Sequence, residues 1–343
     1  MVIICGCISY CYAIWPDNWI SSHAKRIKTM KTRYVNIIIN PTAGHGKARR
    51  VAQTLLQKLK SSSDFELNIT FTRWKNDAML VTRGAIRDGA SMIIVVGGDG
   101  TINEVVNGFF ADGKPLNPFC ELGVINCGTG GGYARTLKLP HSTEEQIEQL
   151  LQPGSIELDL GHIGYQDNKA HSVSRLFVNE CQIGIGSKVA SVVGKKSKIF
   201  GGTIAFGLAA TAIAMFMKPL KLSIGFDNEA FQELRLIGLV VGNGTECAGG
   251  MKLTPDAKLN DGFFDVLSMN DMKVTDRMLS LSKVYSGRHI LSPYFSIKRC
   301  KKLQIRSDIE ISLESDGEML GNSPFNIEIL PSAIRVKARN INM

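Results

Sequence analysis

The chain contains no Cys-x-x-Cys pair, no His-Glu-x-x-His and no Gly-x-Ser-x-Gly. A zinc ribbon, a zinc metalloprotease and a serine hydrolase therefore find no support. Its eight cysteines comprise Cys5, Cys7 and Cys11 near the N-terminus and five scattered singly. That pattern reads as free thiols in a reducing cytoplasm. Two phosphate-binding signatures are also missing. A Walker A loop needs Gly-x-x-x-x-Gly-Lys-Ser/Thr, but the PTAGHGKA segment has Pro41 and Ala48 at its two ends, and the stretch from Gly184 lacks the third glycine of a dinucleotide fingerprint. The protein-kinase motif set is absent too. No uninterrupted apolar run of spanning length occurs. The nearest, 199–217, is so rich in glycine and small residues that it reads as a buried helix. Acidic residues are in deficit, 31 against 40 basic, for a net charge of +9. That balance suits an anionic partner: a nucleotide, an acidic membrane surface or a nucleic acid.

What is present is an ordinary globular composition, 44% hydrophobic and 21% charged over 343 residues. It allows one or two domains with a sizeable core. Residues 1–29 look foreign to the rest, apolar at first but too short to span and without a basic flank, so they are expected to lie outside the fold. From Met30 the texture is regular. Val35–Asn40, ELNITFT, SMIIVV and ELGVIN read as strands; RRVAQTLLQKLK, DAMLVTRGAIRDG, TINEVVNGFF and STEEQIEQLL read as helices, the last with a capping box at Ser142 and Glu145. Alternating strands and helices imply right-handed βαβ units, so residues 30–153 are expected to form an α/β domain around a mostly parallel sheet. Three glycine-rich turns follow strands of this domain, which puts them together at the carboxyl edge where such sheets bind ligands. After Gly154 the pattern is strand-rich, with helical patches near 186–217 and 274–286. Residues 154–330 are expected to be a second, β-rich, sandwich-like domain, with 331–343 a tail that can return to the first.

The central turn, Gly97-Gly98-Asp99-Gly100, carries the sharpest chemistry. Its glycines let a backbone approach a ligand closely. Thr101 and Glu104 have capping-box spacing, and the helix that follows presents amides to an anion. Asp99 is unfavourable beside bare phosphate. It is accounted for by a divalent cation between them, or by a role in orienting a hydroxyl.

GGDGTINEVVNG resembles the signature of the diacylglycerol kinase catalytic-domain superfamily. NPTAGHGKA resembles its first loop, FTRWKNDA its second-strand segment, NCGTGGGYARTLKLP its fourth turn, and PDAKLNDGFFDV and ESDGEML its two C-terminal acidic motifs. Taken alone, the acidic motifs are only a solvated turn and a hairpin signal; the resemblance lifts them. It covers residues 34 to about 330 and points to the bacterial soluble lipid-kinase branch. It implies an ATP-dependent, magnesium-dependent kinase, cytoplasmic and peripherally associated with an anionic membrane surface, with a lipid and not a nucleic acid as partner. Whether it is a homodimer stays open. Diacylglycerol, giving phosphatidic acid, is the leading acceptor. A sphingoid base, a polyprenol, NAD, or a catalytically weak regulator are the alternatives. Asn40, Thr72, Gly97, Gly98, Asp99, Gly100, Thr101, Asn103, Glu104 and Thr129 would hold the nucleotide. Asp316 would be the general base, with Glu318 beside it and Asp99 contributing to catalysis. Asp261 would ligate a structural magnesium with carbonyls near Lys258 and Phe263. One departure stands out: the fourth turn reads Gly130-Gly131-Gly132 where the resemblance leads to expect polar side chains. Two basic clusters, Lys195/Lys196/Lys198 and Lys298/Arg299/Lys301/Lys302, are candidates for docking on anionic headgroups.

Overall fold

The computed structural model describes residues 33–60, 65–128, 130–196, 212–213 and 215–339. The N-terminal leader, Thr129, Lys198 and most of the 199–217 stretch lie outside the described residues, as do the side chains of Lys195 and Lys196.

The first half alternates as its hydrophobic pattern requires. Strands β1 (Arg33–Ile39), β2 (Phe65–Phe71), β3 (Met92–Gly97) and β6 (Glu121–Asn126) are separated by helices α1 (Lys47–Lys60), α2 (Asp77–Arg87) and α3 (Asp99–Gly108) and by a short hairpin, β4 (Phe110–Ala111) and β5 (Lys114–Pro115). Helices α4 (Gly132–Thr136) and α5 (Thr143–Leu151) follow. The β2–β1, β1–β3 and β3–β6 ladders are parallel. The apolar runs of β1 and β3 are continuous because both faces are covered. Ile38, Ile93 and Val95 pack with Ile102, Val105 and Val106 of α3, while Ile37, Ile39, Ile94 and Val96 pack with Val51, Ala52 and Leu55 of α1. Side-chain alternation along each strand thus feeds two cores, one on each face.

The second half consists of β7 (Ile156–Gln166), β8 (Ser172–Phe177), β9 (Glu180–Gly184), helix α6 (Ile185–Lys196), β10 (Leu220–Phe226), β11 (Gln232–Gly242), β12 (Phe264–Asn270), helix α7 (Val274–Val284), β13 (Phe295–Cys300), β14 (Lys302–Arg306), β15 (Ser312–Ser315) and β16 (Glu318–Val336). Its ladders are antiparallel and enclose a β-sandwich-like core of Ile163, Phe177, Ile183, Leu222, Ile224, Leu303, Ile305 and Phe325. Strand β16 pairs antiparallel with β7, β14 and β15. Its last residues, Arg335 and Val336, pair parallel with Glu121 and Leu122 of β6. One ordered sheet path, β13-β12-β11-β10-β14-β16-β6-β3-β1-β2, therefore joins the two halves.

Several local expectations change. Phe110 leaves the helix to start the β4 hairpin. The RLFVNECQIGIG run is two strands, broken at Val178-Asn179, because the amides there turn toward a carboxylate described below. Phe295–Cys300 is a strand that the alternation missed. Pro331 does not end β16, which passes it with a register shift between Leu330 and Ile334. Ser142 does cap α5, accepting the Glu145 amide at 3.2 Å. Thr101 and Glu104 form no capping box: α3 starts at Asp99 after Gly98, without a side-chain cap.

Candidate functional site

The three glycine-rich turns meet at the carboxyl ends of β1, β3 and β6. A Cβ on Gly128 would lie 2.6 Å from the Gly98 Cα, and one on Gly44 would lie 2.3 Å from the Cys127 carbonyl oxygen. Only glycine allows backbones to approach so closely. Side chains then lock the turns. Asn40 Nδ2 donates to Thr101 Oγ1 at 2.9 Å, tying the first turn to the second. Asp99 accepts from the Gly132 and Tyr133 amides at 3.1 and 3.2 Å, tying the second to the third. Asp99 is thus tolerated in a phosphate-type turn partly because the first amides of α4 solvate its carboxylate, which keeps its charge. Gly131 sits in the left-handed region at φ 58°, and Arg135 returns to the Gly130 carbonyl at 2.7 Å. The polyglycine turn is therefore held by the backbone and by Arg135, which also pairs with Glu246 of the second half at 2.9 Å.

Glu104 lies five residues beyond Asp99 on α3 and serves a neighbouring helix. Its carboxylate accepts from the Asn76 and Ala78 amides at 2.8 and 3.3 Å, at the start of α2. Burial raises its pKa, and those two amides partly restore it.

Asp316 occupies the tip of the β15–β16 hairpin. With Gly317 it forms a two-residue turn in which both residues have positive φ, 46° and 88°, as an Asp-Gly type I′ turn demands. The turn drives the carboxylate inward. Oδ1 accepts from the Asn179 and Glu180 amides at 3.0 and 3.1 Å; Oδ2 accepts from the Val178 amide at 2.8 Å and from Asn103 Nδ2 at 2.7 Å. Burial pushes its pKa from 3.8 up to about 6, against the pull of those four donors. At neutral pH it is an ionised, desolvated carboxylate, the state a general base needs. Asn103 is gripped in turn by Arg175, whose Nε and Nη2 donate to Asn103 Oδ1 at 3.1 and 2.9 Å. Arg175 also pairs with Glu318 at 3.3 Å, and Lys75 pairs with Glu318 at 3.4 Å.

Beside Asp316 lie two more buried carboxylates, Glu180 and Glu314. Burial pushes Glu314 up to about 8; burial and the Glu314 charge raise Glu180. Neither forms an ion pair among the described residues. Gln182 donates to Glu180 at 2.8 Å, and the Gly317 amide donates to Glu314.

The glycine-rich turns, Asp99, Glu104, Glu180, Glu314, Asp316 and Glu318 border one cavity of about 650 Å³. Its polar end is formed by Asn40, Gly98, Asp99, Gly100, Thr101 and Glu104. Asp316 and Glu318 stand at the middle, and the far end is apolar, with Ile237, Leu253, Met269, Met272 and Phe295. A polar, amide-rich mouth joined through a basic carboxylate to an apolar chamber can hold an anionic group and an amphipathic alcohol in contact.

Not every residue singled out from the sequence reaches this cavity. Gly97 ends β3 against Thr101, and Asn103 is drawn off the cavity wall to hold Asp316. Among the described residues, Thr72 donates its amide to the Ile39 carbonyl, at 2.9 Å, and does not line the cavity. Lys258, Asp261 and Phe263 lie elsewhere. Asp261 is neutralised by Arg299, whose guanidinium also covers the Phe263 ring at 4.6 Å, and Lys258 is exposed. The described residues contain no group of three or more His, Cys, Asp or Glu arranged to hold a metal. A cation at Asp261 would have to displace Arg299, so this arrangement fits an ion pair better than a metal, and no chemistry is assigned to it. Sequence reasoning overlooked Glu180, Glu314, Asn179 and Arg175. The available signal was Glu180, a charge inside an otherwise apolar strand pattern.

Residues 34–163 match the diacylglycerol kinase catalytic domain, and residues 179–338 match the YegS C-terminal NAD kinase beta sandwich-like domain. A diacylglycerol kinase of Staphylococcus carnosus strain TM300 is 30% identical over 300 residues, covering 88% of this chain and 93% of that one. A diacylglycerol kinase of Staphylococcus aureus strain MRSA252 is 30% identical over 304 residues, 89% and 92% of the two chains. The fold is shared with the crystal structure of a diacylglycerol kinase from Bacillus anthracis strain Sterne, at a TM-score of 0.66 and 20% identity over 92% of this chain and all of that one. The chain belongs to the diacylglycerol kinase family and is a phosphotransferase that acts on an alcohol acceptor.

Proposed function

We propose that the protein transfers the γ-phosphoryl group of ATP to the hydroxyl of a membrane lipid, with diacylglycerol as acceptor and phosphatidic acid as product. The observation that carries the reading is Asp316: a buried carboxylate with a pKa of about 6, standing in one cavity between the glycine-rich turns and an apolar chamber. The name shared by the relatives supports diacylglycerol as the acceptor.

In this reading the amides of Gly98–Thr101, at the start of α3, face the nucleotide phosphates. Acyl chains occupy the chamber lined by Ile237, Met269 and Phe295. The lipid hydroxyl lies against Asp316, which takes its proton as the oxygen attacks the γ-phosphorus and ADP leaves. Asn103 and the amides of Val178–Glu180 fix that carboxylate. Asp99 and Glu104 border the same cavity, form no ion pair among the described residues and would repel a bare triphosphate. These carboxylates suit a magnesium ion carried in with ATP, which would offset phosphate charge there. The enzyme would work in the cytoplasm, at the membrane surface.

A second reading rests on Glu180 and Glu314. Two buried carboxylates without a basic partner among the described residues suit a cation beside the acceptor hydroxyl, as an amino-alcohol lipid such as a sphingoid base would supply. The test is labelled-phosphate transfer from ATP by protein beginning at Met30. Mixed micelles would carry diacylglycerol, a sphingoid base or a polyprenol, with NAD in parallel and a magnesium-free control. Transfer to diacylglycerol supports the first reading and transfer to the sphingoid base the second. Silence on all four acceptors with ATP still bound refutes both in favour of a regulator.

A further inference from the structure

We infer that the outer face of helix α7, with Phe216 and Leu291, is the surface on which the protein docks onto an anionic bilayer, at the wall of its acyl chamber. The inference rests on the lipid-kinase reading for its purpose but on its own observations for its location. The inner side of α7 turns Arg277, Ser280 and Val284 to the cavity. The outer side presents Val274, Met278 and Tyr285 to solvent, spaced so that they share one helix face. Leu279 is 64% exposed, Leu291 just beyond the helix 81%, and Phe216 80%. Phe216 belongs to the same region because the adjoining Met217 carbonyl accepts from the Arg277 guanidinium at 2.6 Å. Exposed large apolar side chains scattered singly need no explanation, but a group of this size on one side of a molecule marks an interaction surface.

Charge and continuity select the partner. Lys273, Lys283 and Arg288 are exposed on the same helix and the turn after it, and none forms an ion pair among the described residues. The nearby Asp271 is neutralised by Arg235 and Arg277, each at 3.3 Å. Asp276 is the remaining acid of the helix and is only partly exposed. An apolar face bordered by free cations is the profile of an element lying in a headgroup layer. The basic cluster at 298–302 is partly engaged, with Lys302 exposed and in no ion pair among the described residues. Lys298 pairs with Glu229 and lies over Phe226, Arg299 pairs with Asp261 and Asp265, and Lys301 lies over Phe263. No helix among the described residues is long and apolar enough to cross a membrane, so a chain lodged in a bilayer has to be collected at a surface. A surface one helix thick from the acyl chamber shortens that transfer.

The test is sedimentation with phosphatidylglycerol vesicles and with phosphatidylcholine vesicles, for the full chain and two variants. One carries Phe216→Ser, Leu279→Ser and Leu291→Ser; the other carries Lys273→Gln, Lys283→Gln and Arg288→Gln. The wild type should bind phosphatidylglycerol vesicles more tightly than phosphatidylcholine vesicles. The apolar variant should lose at least about tenfold in partitioning, and the cation variant more, on the order of a hundredfold at low salt. Turnover on a short-chain diacylglycerol in free solution should stay at the wild-type level in both, while turnover on vesicle-borne acceptor falls. Equal vesicle binding by wild type and both variants overturns the proposal. So does a variant that merely changes from dimer to monomer on size exclusion while binding vesicles normally, since the face then joins two copies. Lost vesicle binding in the variants together with no turnover on any acceptor retains the docking face and removes the kinase reading.

Discussion

Replacing Asp316 by asparagine separates the chemistry of this carboxylate from its structural role. The change is nearly isosteric and exchanges one acceptor oxygen for an NH2 group. If Oδ2 is the one exchanged, the Val178 amide and Asn103 Nδ2, now at 2.8 and 2.7 Å, lose their acceptor. Two buried donors left unpaired cost about 1–3 kcal/mol each. An opposing effect comes from ionisation. The carboxyl pKa is raised on folding, from 3.8 to about 6, so its contribution to stability is fully present below pH 3.8 and is lost as pH rises toward 6. At pH 7 that loss amounts to about 3 kcal/mol, and asparagine does not suffer it. The two effects nearly offset, leaving a net destabilisation of at most about 3 kcal/mol and a Tm fall below about 10 °C. Turnover should fall by about 10²–10⁴, the range of a general base, with ATP affinity unchanged. The assays are labelled-phosphate transfer, nucleotide titration and thermal melts at pH 4 and pH 7. A variant retaining more than about a tenth of wild-type turnover would refute the assignment of Asp316 as base.

Three further outcomes follow from the same geometry. Wild-type kcat should fall about tenfold per pH unit below pH 6 as Asp316 takes up its proton; Asn103→Ala removes a donor that favours the ionised form and should move this limb to higher pH, so an unmoved limb would show that Asn103 does not tune the base. Asp99→Asn should abolish turnover while Tm changes by only a few degrees, because one oxygen still accepts from the start of α4; wild-type rates would end its catalytic role. Gly128→Ala sets a Cβ 2.6 Å from the Gly98 Cα and should weaken ATP binding at least about tenfold by forcing the turns apart; unaltered binding in a nucleotide titration would mean that these turns do not form the nucleotide wall.

Much of this site could be read from short stretches of chain. The apolar runs of β1 and β3, the turns after them and the Asp-Gly signal at 316–317 are local, set by side-chain period, by glycine and by turn chemistry within a few residues. They were enough to bring three glycine-rich turns to one edge and to single out Asp99; Asp316 rises above an ordinary hairpin signal only through the family resemblance. Long-range pairing was not legible in that way. Glu104 has capping-box spacing behind Thr101, yet it caps α2 because the Asn76 and Ala78 amides lie closer in space. Asn103 looks like a phosphate ligand by position, yet it spends its amide on Asp316, 213 residues away. Glu180 and Glu314 appear as stray charges in strand patterns until β9 and β15 pair and bury them side by side. Helix α7 has a periodic pattern that cannot say which face meets the cavity and which meets solvent. Sequence by itself determined the elements and the turns, because those depend on torsional preference and local periodicity, and its motifs carried the resemblance that pointed to the chemical family. Tertiary structure alone decided which carboxylates lost water and which amides they recovered, because desolvation and hydrogen-bond geometry exist only once distant segments are packed together.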